Sequence, residues 1–516
     1  RIAPTEPAVL RVGIAATLDS PVTLQPSGRR AITDEVRSRF DRLCDLLERS
    51  AIPVDVALRP ELLDGLAASD DPADLTRLDR LARALGTDDG VLAEPYVALD
   101  PSFAVGSGLA DEYVEQLRRG ERTVTDRLGV ITDRTVLFVS GGIDRAGTDH
   151  LRNLGVRDVI ATPDALVSDP ELFDGTGGEL AAIDTSDDSL PTLLDDPAVR
   201  PVLDADDPTG DPRSVAADLF ALAREVADDD GSSDRGIVLT ISDLASADID
   251  RVVQLGALLA DNPHLALQAP GDIVRALERT TDRTRWHRLT LVGPPLQPDL
   301  NVTEALIGAR EGIDTTVTML PAGDARADRW NRFAQVLPST SLSNGQRDLY
   351  VSQLAGELGD IRSAIELPKL PRFNLGGTRT HLPLVLENNA ATPLTVLVRL
   401  TSANGKVAFD QNDIPVVVDG RTPFEIPIHM RSSGDTPVTV EILTPGGPDN
   451  ARLLIGPTRL SIRASFFTGF AKTVTGGFLL ILATWWVSHF RKAHRSRRAA
   501  HHAALGRHPA GTLPSS

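Results

Sequence analysis

An uncharged apolar segment near the end of the chain constrains its fold more than any other feature. Residues 473–490 contain no Asp, Glu, Lys or Arg, and extending the segment back to Phe466 adds the single charge of Lys472. A helix needs about 20 apolar residues to cross the ~30 Å of hydrocarbon in a bilayer. Trp485 and Trp486 lie near one end, where indole rings favour the membrane interface. We therefore predict a transmembrane helix over residues 466–490; the alternative is a buried core helix.

The charge distribution orients this helix. The 516 residues carry a net charge of -19, with 53 basic and 72 acidic side chains. Residues 491–516 hold six Lys or Arg and no acid, which leaves a net charge of -25 for residues 1–490. Basic residues stay on the cytoplasmic side of a membrane. We expect a single-pass cell-membrane protein with an extracytoplasmic N-terminal part and a basic, unstructured cytoplasmic tail at 491–516.

Composition excludes several classes of protein. The acidic balance argues against nucleic-acid binding. A single cysteine, Cys44, excludes an intramolecular disulfide framework and a cysteine-based zinc cluster. Because the predicted topology normally requires a signal peptide and the sequence starts at Arg1 without one, we expect the native start to lie upstream.

Residues 1–335 alternate short apolar runs with amphipathic stretches. The first helix is predicted to begin after Thr33, with Phe40 and Leu43 on its apolar face. The predicted strands are 9–17, 54–58, 90–96, 135–139, 158–162, 179–183, 201–203, 236–241 and 264–268. Such alternation indicates a parallel sheet with helices outside. We expect an α/β fold, a (β/α) barrel of polysaccharide-deacetylase-like or TIM type. An open doubly wound sheet is the alternative.

The spacing of apolar residues changes in the next part of the chain. Residues 336–372 are predicted to form a helical connector that ends in a proline-containing linker. From 373 to 464, apolar and other residues alternate, as in Leu382, Leu384 and Leu386, and polar turns separate the runs. One-sided burial in short strands predicts an Ig-like β-sandwich.

Several short motifs make this chain resemble the actinobacterial DUF6049 family of exported, membrane-anchored proteins. They are the stretches Pro53–Leu63, Glu94–Asp100, Gly141–Gly155 and Leu384–Val396, followed by one apolar helix and an arginine-rich tail. Family members resemble polysaccharide-deacetylase-like barrels in outline. Their genes often lie beside that of the lipid II flippase, so the resemblance implies a role in cell-wall biogenesis. It implies no particular reaction.

A metal-dependent deacetylase would need an Asp pair near the first strand and two histidines four residues apart, which together hold a metal ion. The first predicted strand ends at Asp19 alone, and His150, His264 and His287 have no histidine four residues away. We therefore predict no metal and no cofactor.

A glycosidase would need only two carboxylates at the strand ends. Acids stand at or just after the predicted strand ends at Asp19, Glu61, Glu94, Asp100, Asp144, Asp184, Asp204 and Asp243. In a barrel these ends share one face, although loop acids and helix N-caps occupy the same positions.

Two hypotheses follow. In the first, the protein is a non-catalytic binding or scaffold component in cell-wall biogenesis. Asp19, Glu94, Asp100, Asp144 and Asp243 then bind a cell-wall glycan, a lipid-linked precursor or a membrane protein such as the lipid II flippase. In the alternative, it is a glycan-acting hydrolase that uses Glu94 and Asp144.

Overall fold

The computed structural model describes residues 8–139, 141–166, 177–204, 206–228, 234–281, 283–289, 291, 297–369, 373–402, 405–432, 434–446, 451–465 and 467–503. The chain forms two compact units. The first unit comprises Arg1–Ile313 and Gly323–Leu358, and the second comprises Asp314–Ala322 and Gly359–Ser516.

The first unit contains ten strands and most of the helices of the described chain. The strands are β1 Leu10–Leu18, β2 Val54–Leu58, β3 Gly90–Val91, β4 Val136–Val139, β5 Asp158–Ala161, β6 Ala181–Asp184, β7 Ser189–Leu194, β8 Arg235–Ile241, β9 Leu265–Leu267 and β10 His287–Leu289. The helices are α1 Asp34–Arg49, α2 Pro60–Ala67, α3 Pro72–Ala84, α4 Pro101–Gly106, α5 Ala110–Leu128, α6 Arg145–Asn153, α7 Pro163–Leu166, α8 Pro212–Asp228, α9 Ile249–Leu259, α10 Pro270–Thr280, α11 Leu300–Val317, α12 Ala325–Val336 and α13 Asn344–Ser363; α11 and α13 both extend into the second unit. Short 3-10 turns cover Arg200–Leu203, Pro208–Gly210 and Arg283–Arg285.

Parallel strands of the first unit form a ring. One sheet has the order β3-β2-β1-β8, with β9 also paired to β1, and the other has the order β10-β6-β7-β5-β4. Two isolated parallel bridges, Leu92 to Asp133 and Asp195 to Val238, join the sheets at both seams. The ring is therefore β1-β2-β3-β4-β5-β7-β8, a barrel-like arrangement. The prediction of an α/β fold built on parallel strands is confirmed; β6, outside the ring, pairs antiparallel with β7.

Helix α10 closes the amino-terminal end of this ring. Ile273, Val274 and Leu277 of this helix belong to the apolar cluster formed with alternate strand residues. A Cβ at Gly13 of β1 would lie 2.4 Å from the carbonyl oxygen of Gln268, just before α10. The chain therefore needs glycine there, and the open rim of the barrel is the one at the carboxyl ends of the strands.

Local expectations were wrong at two places between residues 189 and 203. The run 201–203 was expected to be a strand, but it lies in a 3-10 turn in which proline occupies an early position. Strand β7 was not expected; it has Pro191 in its middle, a residue that usually argues against a central strand. The expected cap at Thr33 is confirmed, since its side chain accepts a hydrogen bond from the Val36 N–H at 3.3 Å.

The second unit is built mostly from antiparallel strands. They are β11 Ile365–Glu366, β12 Phe373–Gly376, β13 Arg379–Asn388, β14 Leu394–Ser402, β15 Val407–Phe409, β16 Asp413–Val418, β17 Arg421–Met430, β18 Gly434–Leu443 and β19 Leu453–Ser465. They form two sheets, β11-β13-β17-β15 and β12-β19-β18-β14-β16, with β12 and β19 parallel. Leu382, Leu384 and Leu386 are buried while His381 and Pro383 are exposed, as the alternation predicted.

A final helix, α14, runs from Phe467 to Ala503. Within it, residues 473–491 are long and apolar enough to cross a membrane, and none of this stretch is buried. This agrees with single-pass anchoring. The tail was expected to lack structure from residue 491 onward; instead the helix continues to Ala503, because alanine and arginine favour helix.

Candidate functional site

A cavity of about 220 Å³ opens at the rim formed by the carboxyl ends of the strands. Asp19 follows β1, Arg59 follows β2 and Glu94 lies shortly after β3, so three successive strands of the ring deliver three charged groups. Apolar wall residues include Leu99 and Phe138. We call this the rim cavity. Its position matches the usual place of functional sites in parallel barrels.

Arg59 is the centre of the rim cavity. Its Nε donates to Asp19 Oδ1 at 3.1 Å, and its Nη1 donates to Glu94 Oε2 at 3.3 Å. Nη1 also lies 3.3 Å from the carbonyl oxygen of Pro95. The residue stands directly before Pro60, the first residue of α2, so the start of that helix fixes the direction of the Arg59 backbone. One guanidinium thus holds two carboxylates of different exposure, since the Glu94 side chain is 13% exposed and that of Asp19 55%.

This difference in exposure affects protonation. Burial raises the pKa of Glu94 to about 7, with Arg59 opposing the shift and the Asp19 charge adding to it. A carboxyl group with a pKa near 7 exists in both protonation states at neutral pH, as a general acid or base requires. For Arg59, burial alone would lower the pKa, but Glu94 and Asp19 together raise it, so the guanidinium stays charged.

Tyr113 adds a phenol to the same cavity. It lies on α5 and is 1% exposed. Burial, followed by the charges of Glu94 and Asp100, raises its pKa, so the hydroxyl keeps its proton. Within the described part of the chain, no group forms a hydrogen bond with this hydroxyl. The Tyr113 ring packs edge-on against His150, with 5.6 Å between the ring centroids. A neutral phenol is a hydrogen-bond donor available to a bound molecule.

The structure brings three of the five predicted binding residues together. Asp19, Glu94 and Asp100 all line the rim cavity. Asp100 also caps α4, where its Oδ1 accepts from the Phe103 N–H at 2.8 Å. Burial raises the pKa of Asp100, and the nearby charge of Asp144 adds to that shift.

The other two predicted residues lie elsewhere. Asp144 is not part of the cavity lining; its Oδ1 caps α6 by accepting from the Gly147 N–H at 2.7 Å. Asp243 lines a different cavity of about 340 Å³, and hydrogen bonds from the Ala245 N–H and the Ser246 hydroxyl lower its pKa. The partner that shares a contact with Glu94 is therefore Asp19, through Arg59, and not Asp144 as the hydrolase hypothesis expected.

Sequence reasoning missed Arg59 and Tyr113. Nothing in the pattern distinguishes an arginine that follows a strand from a solvent-exposed one, or a helical tyrosine from a core residue. For metal binding, the residues that the structure describes include no group of three His, Cys, Asp or Glu arranged to hold an ion.

No protein-family model matches the chain, and no curated protein matches it. Similar solved structures include 4-alpha-glucanotransferase from Thermococcus litoralis, with 9% identity, coverage of 85% of this chain and 87% of that chain, and a TM-score of 0.43. A probable polysaccharide deacetylase from Pseudomonas aeruginosa PAO1 has 10% identity, coverage of 53% and 92%, and a TM-score of 0.33. An exo-type maltose-forming amylase from Pyrococcus sp. ST04 has 8% identity, coverage of 68% and 73%, and a TM-score of 0.38. At TM-scores below 0.5, none of these likenesses carries an argument about activity.

Proposed function

We propose that the protein is a membrane-anchored component of the cell envelope whose rim cavity binds a neutral, hydroxyl-rich ligand such as a segment of cell-wall glycan. The observation that carries this proposal is the Asp19–Arg59–Glu94 contact at the open rim. It places two carboxylate acceptors and one guanidinium donor within reach of a single small molecule.

The chemistry of the cavity suits a sugar better than an ion. Sugar hydroxyls donate to carboxylates and accept from a guanidinium or a phenol, so each polar group of the rim cavity has a complementary partner. Arg59 partly neutralises the three carboxyl groups of the lining, Asp19, Glu94 and Asp100, and burial raises the pKa of the last two, which reduces the negative charge of the site. Leu99 and Phe138 provide apolar walls for the C–H faces of a pyranose ring.

The remaining parts of the chain fit an anchored binding protein. Helix α14 spans the membrane with its basic end in the cytoplasm, and the first unit is extracytoplasmic. The strands β12 to β19 form an Ig-like module that lies between the barrel and the membrane span in the chain. Membership of the DUF6049 family, action in cell-wall biogenesis and partnership with a membrane protein such as the lipid II flippase belong to the same proposal, supported by the sequence motifs.

Isothermal titration of the full-length chain with N-acetylglucosamine oligomers, in a detergent without sugar head groups, tests the binding proposal. We expect saturable binding that Asp19→Asn combined with Glu94→Gln weakens by about tenfold or more, because two hydrogen bonds to charged groups are changed. Asp243→Asn is the matched control, since it removes a carboxylate from a different cavity. Equal affinity for the rim variant and the control variant would refute the proposal.

A second candidate function is glycan hydrolysis, which the near-neutral pKa of Glu94 favours. Glu94 would protonate the leaving glycosidic oxygen, and Asp19 would act on the sugar as nucleophile or as base for a water molecule. The measurement is release of reducing ends from cell-wall glycan by the wild-type chain and by Glu94→Gln. Activity that disappears in the variant supports hydrolysis, whereas wild-type protein that binds glycan without releasing product supports the binding function alone.

A further inference from the structure

A second cavity of the first unit is lined mainly by arginines. It has a volume of about 600 Å³, and its charged lining consists of Arg29, Arg30, Arg119, Arg127, Arg332, Asp64 and Asp70. These residues come from the loop after β1, from α2 and the turn that follows it, from α5 and from α12. We call it the arginine cavity. In a chain with 72 acidic and 53 basic side chains, five arginines against two acids reverse the local charge.

Three of the arginines have partners. Arg30 pairs with Glu61, which is not part of the cavity lining and is 1% exposed. Arg127 forms an ion pair with Asp64 at 2.8 Å. Arg29 contacts Asp70 at 3.2 Å, but both side chains are more than three-quarters exposed. Exposed pairs of this kind contribute little, so an incoming anion can replace Asp70 at small cost.

Two arginines have no acidic partner. The guanidinium carbon of Arg119 lies 4.3 Å from the centroid of the Tyr96 ring. Its buried Nε has no hydrogen-bond partner among the described residues. Arg332 is exposed and, within the same set of residues, forms no ion pair. The nearby acid Asp64 accepts from the Tyr96 hydroxyl at 3.0 Å and from Arg127 Nε at 2.9 Å, and among the described residues it forms no ion pair with Arg119 or Arg332.

We propose that the arginine cavity binds a phosphate-bearing anion, with Arg29, Arg119 and Arg332 as its main ligands. A guanidinium presents parallel N–H groups that match two oxygens of one phosphate, and its charge is permanent. The site is distinct from the rim cavity, since the two linings share no residue, and its assignment does not rest on the proposed glycan binding there. Its volume is larger than a single phosphate group needs, so we assign it to a pyrophosphate or to a phosphate that carries an organic group.

Titration of inorganic pyrophosphate into the full-length chain in phosphatidylcholine nanodiscs tests the proposal. We expect saturable binding that weakens as salt is added, because the contacts are ionic. Arg119→Gln should weaken it by about tenfold or more, and the surface change Arg332→Gln by about threefold. Arg224→Gln is the control, since this exposed arginine on α8 lies outside the cavity lining.

A second experiment distinguishes a lipid headgroup from a free phosphate compound as the natural ligand. Its nanodiscs contain equal parts of phosphatidylcholine and phosphatidylglycerol. If a lipid headgroup is the natural ligand, these discs should weaken pyrophosphate binding to the wild-type chain more than to Arg119→Gln. If it is a free phosphate compound, both proteins should respond equally to the change of lipid. Either result supports an anion site. Absence of pyrophosphate binding in neutral discs, or equal affinity of Arg332→Gln, Arg119→Gln and Arg224→Gln, would overturn it.

Discussion

Replacing Glu94 by glutamine should change how the stability of the first unit depends on pH. The pKa of Glu94 is raised from 4.5 to about 7 in the folded chain, chiefly by burial. The folded state therefore holds the proton more tightly than the unfolded state. Its contribution to stability is fully present below pH 4.5 and is lost as the pH rises through 7.

The size of the effect follows from these two pKa values. The linkage between protonation and folding lowers the free energy of unfolding by about 0.8 kcal/mol at pH 5 and by about 3.3 kcal/mol at pH 8. Both values are relative to strongly acidic conditions. Glutamine does not titrate, so the Glu94→Gln variant should lose about 2.5 kcal/mol less than wild type between pH 5 and pH 8. The contact of Arg59 with ionised Glu94 is already included in the pKa of about 7, so its loss in the variant adds no further pH dependence.

Urea unfolding of the full-length chain in detergent, at four pH values between 5 and 8, provides the measurement. Tryptophan fluorescence reports on the first unit through the buried Trp286 and Trp330. Asp243→Asn is the control: hydrogen bonds lower the pKa of Asp243, so its contribution is lost only as the pH falls and should be constant over this range. If Glu94→Gln follows the wild-type pH dependence, the account of a buried, proton-holding Glu94 is wrong.

Three further predictions concern the first unit. Glu61→Gln should cost about 3–5 kcal/mol in the free energy of unfolding, since it leaves Arg30, whose side chain is 10% exposed, without its counter-charge; a loss below about 1 kcal/mol would contradict this. Gly13→Ala should destabilise the folded state by several kcal/mol, because the added Cβ would lie 2.4 Å from the carbonyl oxygen of Gln268. Gly345→Ala, which has open space around it, should not destabilise the folded state. Equal urea midpoints for the two variants would show that the close packing between β1 and the start of α10 is wrong. Asp158→Asn should stabilise the chain at pH 8 but not at pH 4, because burial raises the pKa of this carboxyl to about 7; thermal unfolding at both pH values measures the difference.

The class of fold could be predicted because the spacing of apolar residues and the turn residues that separate the segments are local properties of a sequence. The carboxyl ends of parallel strands share one edge, so Asp19 and Glu94 could be placed together without a structure. Asp144 could not be separated from them, because a helix N-cap and a site carboxylate occupy the same position after a strand. Arg59 could not be found at all, since its role depends on two contacts made across the barrel rim.

The end of strand β3 could not be predicted from the sequence either. The apolar run was expected to extend from residue 90 to 96, but the strand ends at Val91 and the segment that follows carries Pro95. That early ending is what allows Glu94 to leave the sheet and face the rim cavity. Apolar content alone does not show where pairing stops, because pairing depends on the neighbouring strand.

Glu94, Pro95 and Tyr96 are consecutive, yet they serve two different cavities. Glu94 and Pro95 line the rim cavity, while the Tyr96 ring supports Arg119 and its hydroxyl holds Asp64, both in the arginine cavity. If a ligand in one cavity shifts this tripeptide, it changes the other cavity as well, and thermodynamic reciprocity then makes the effect on the two affinities equal. The barrel therefore has the means to make occupancy of one cavity conditional on the other, through three adjoining residues.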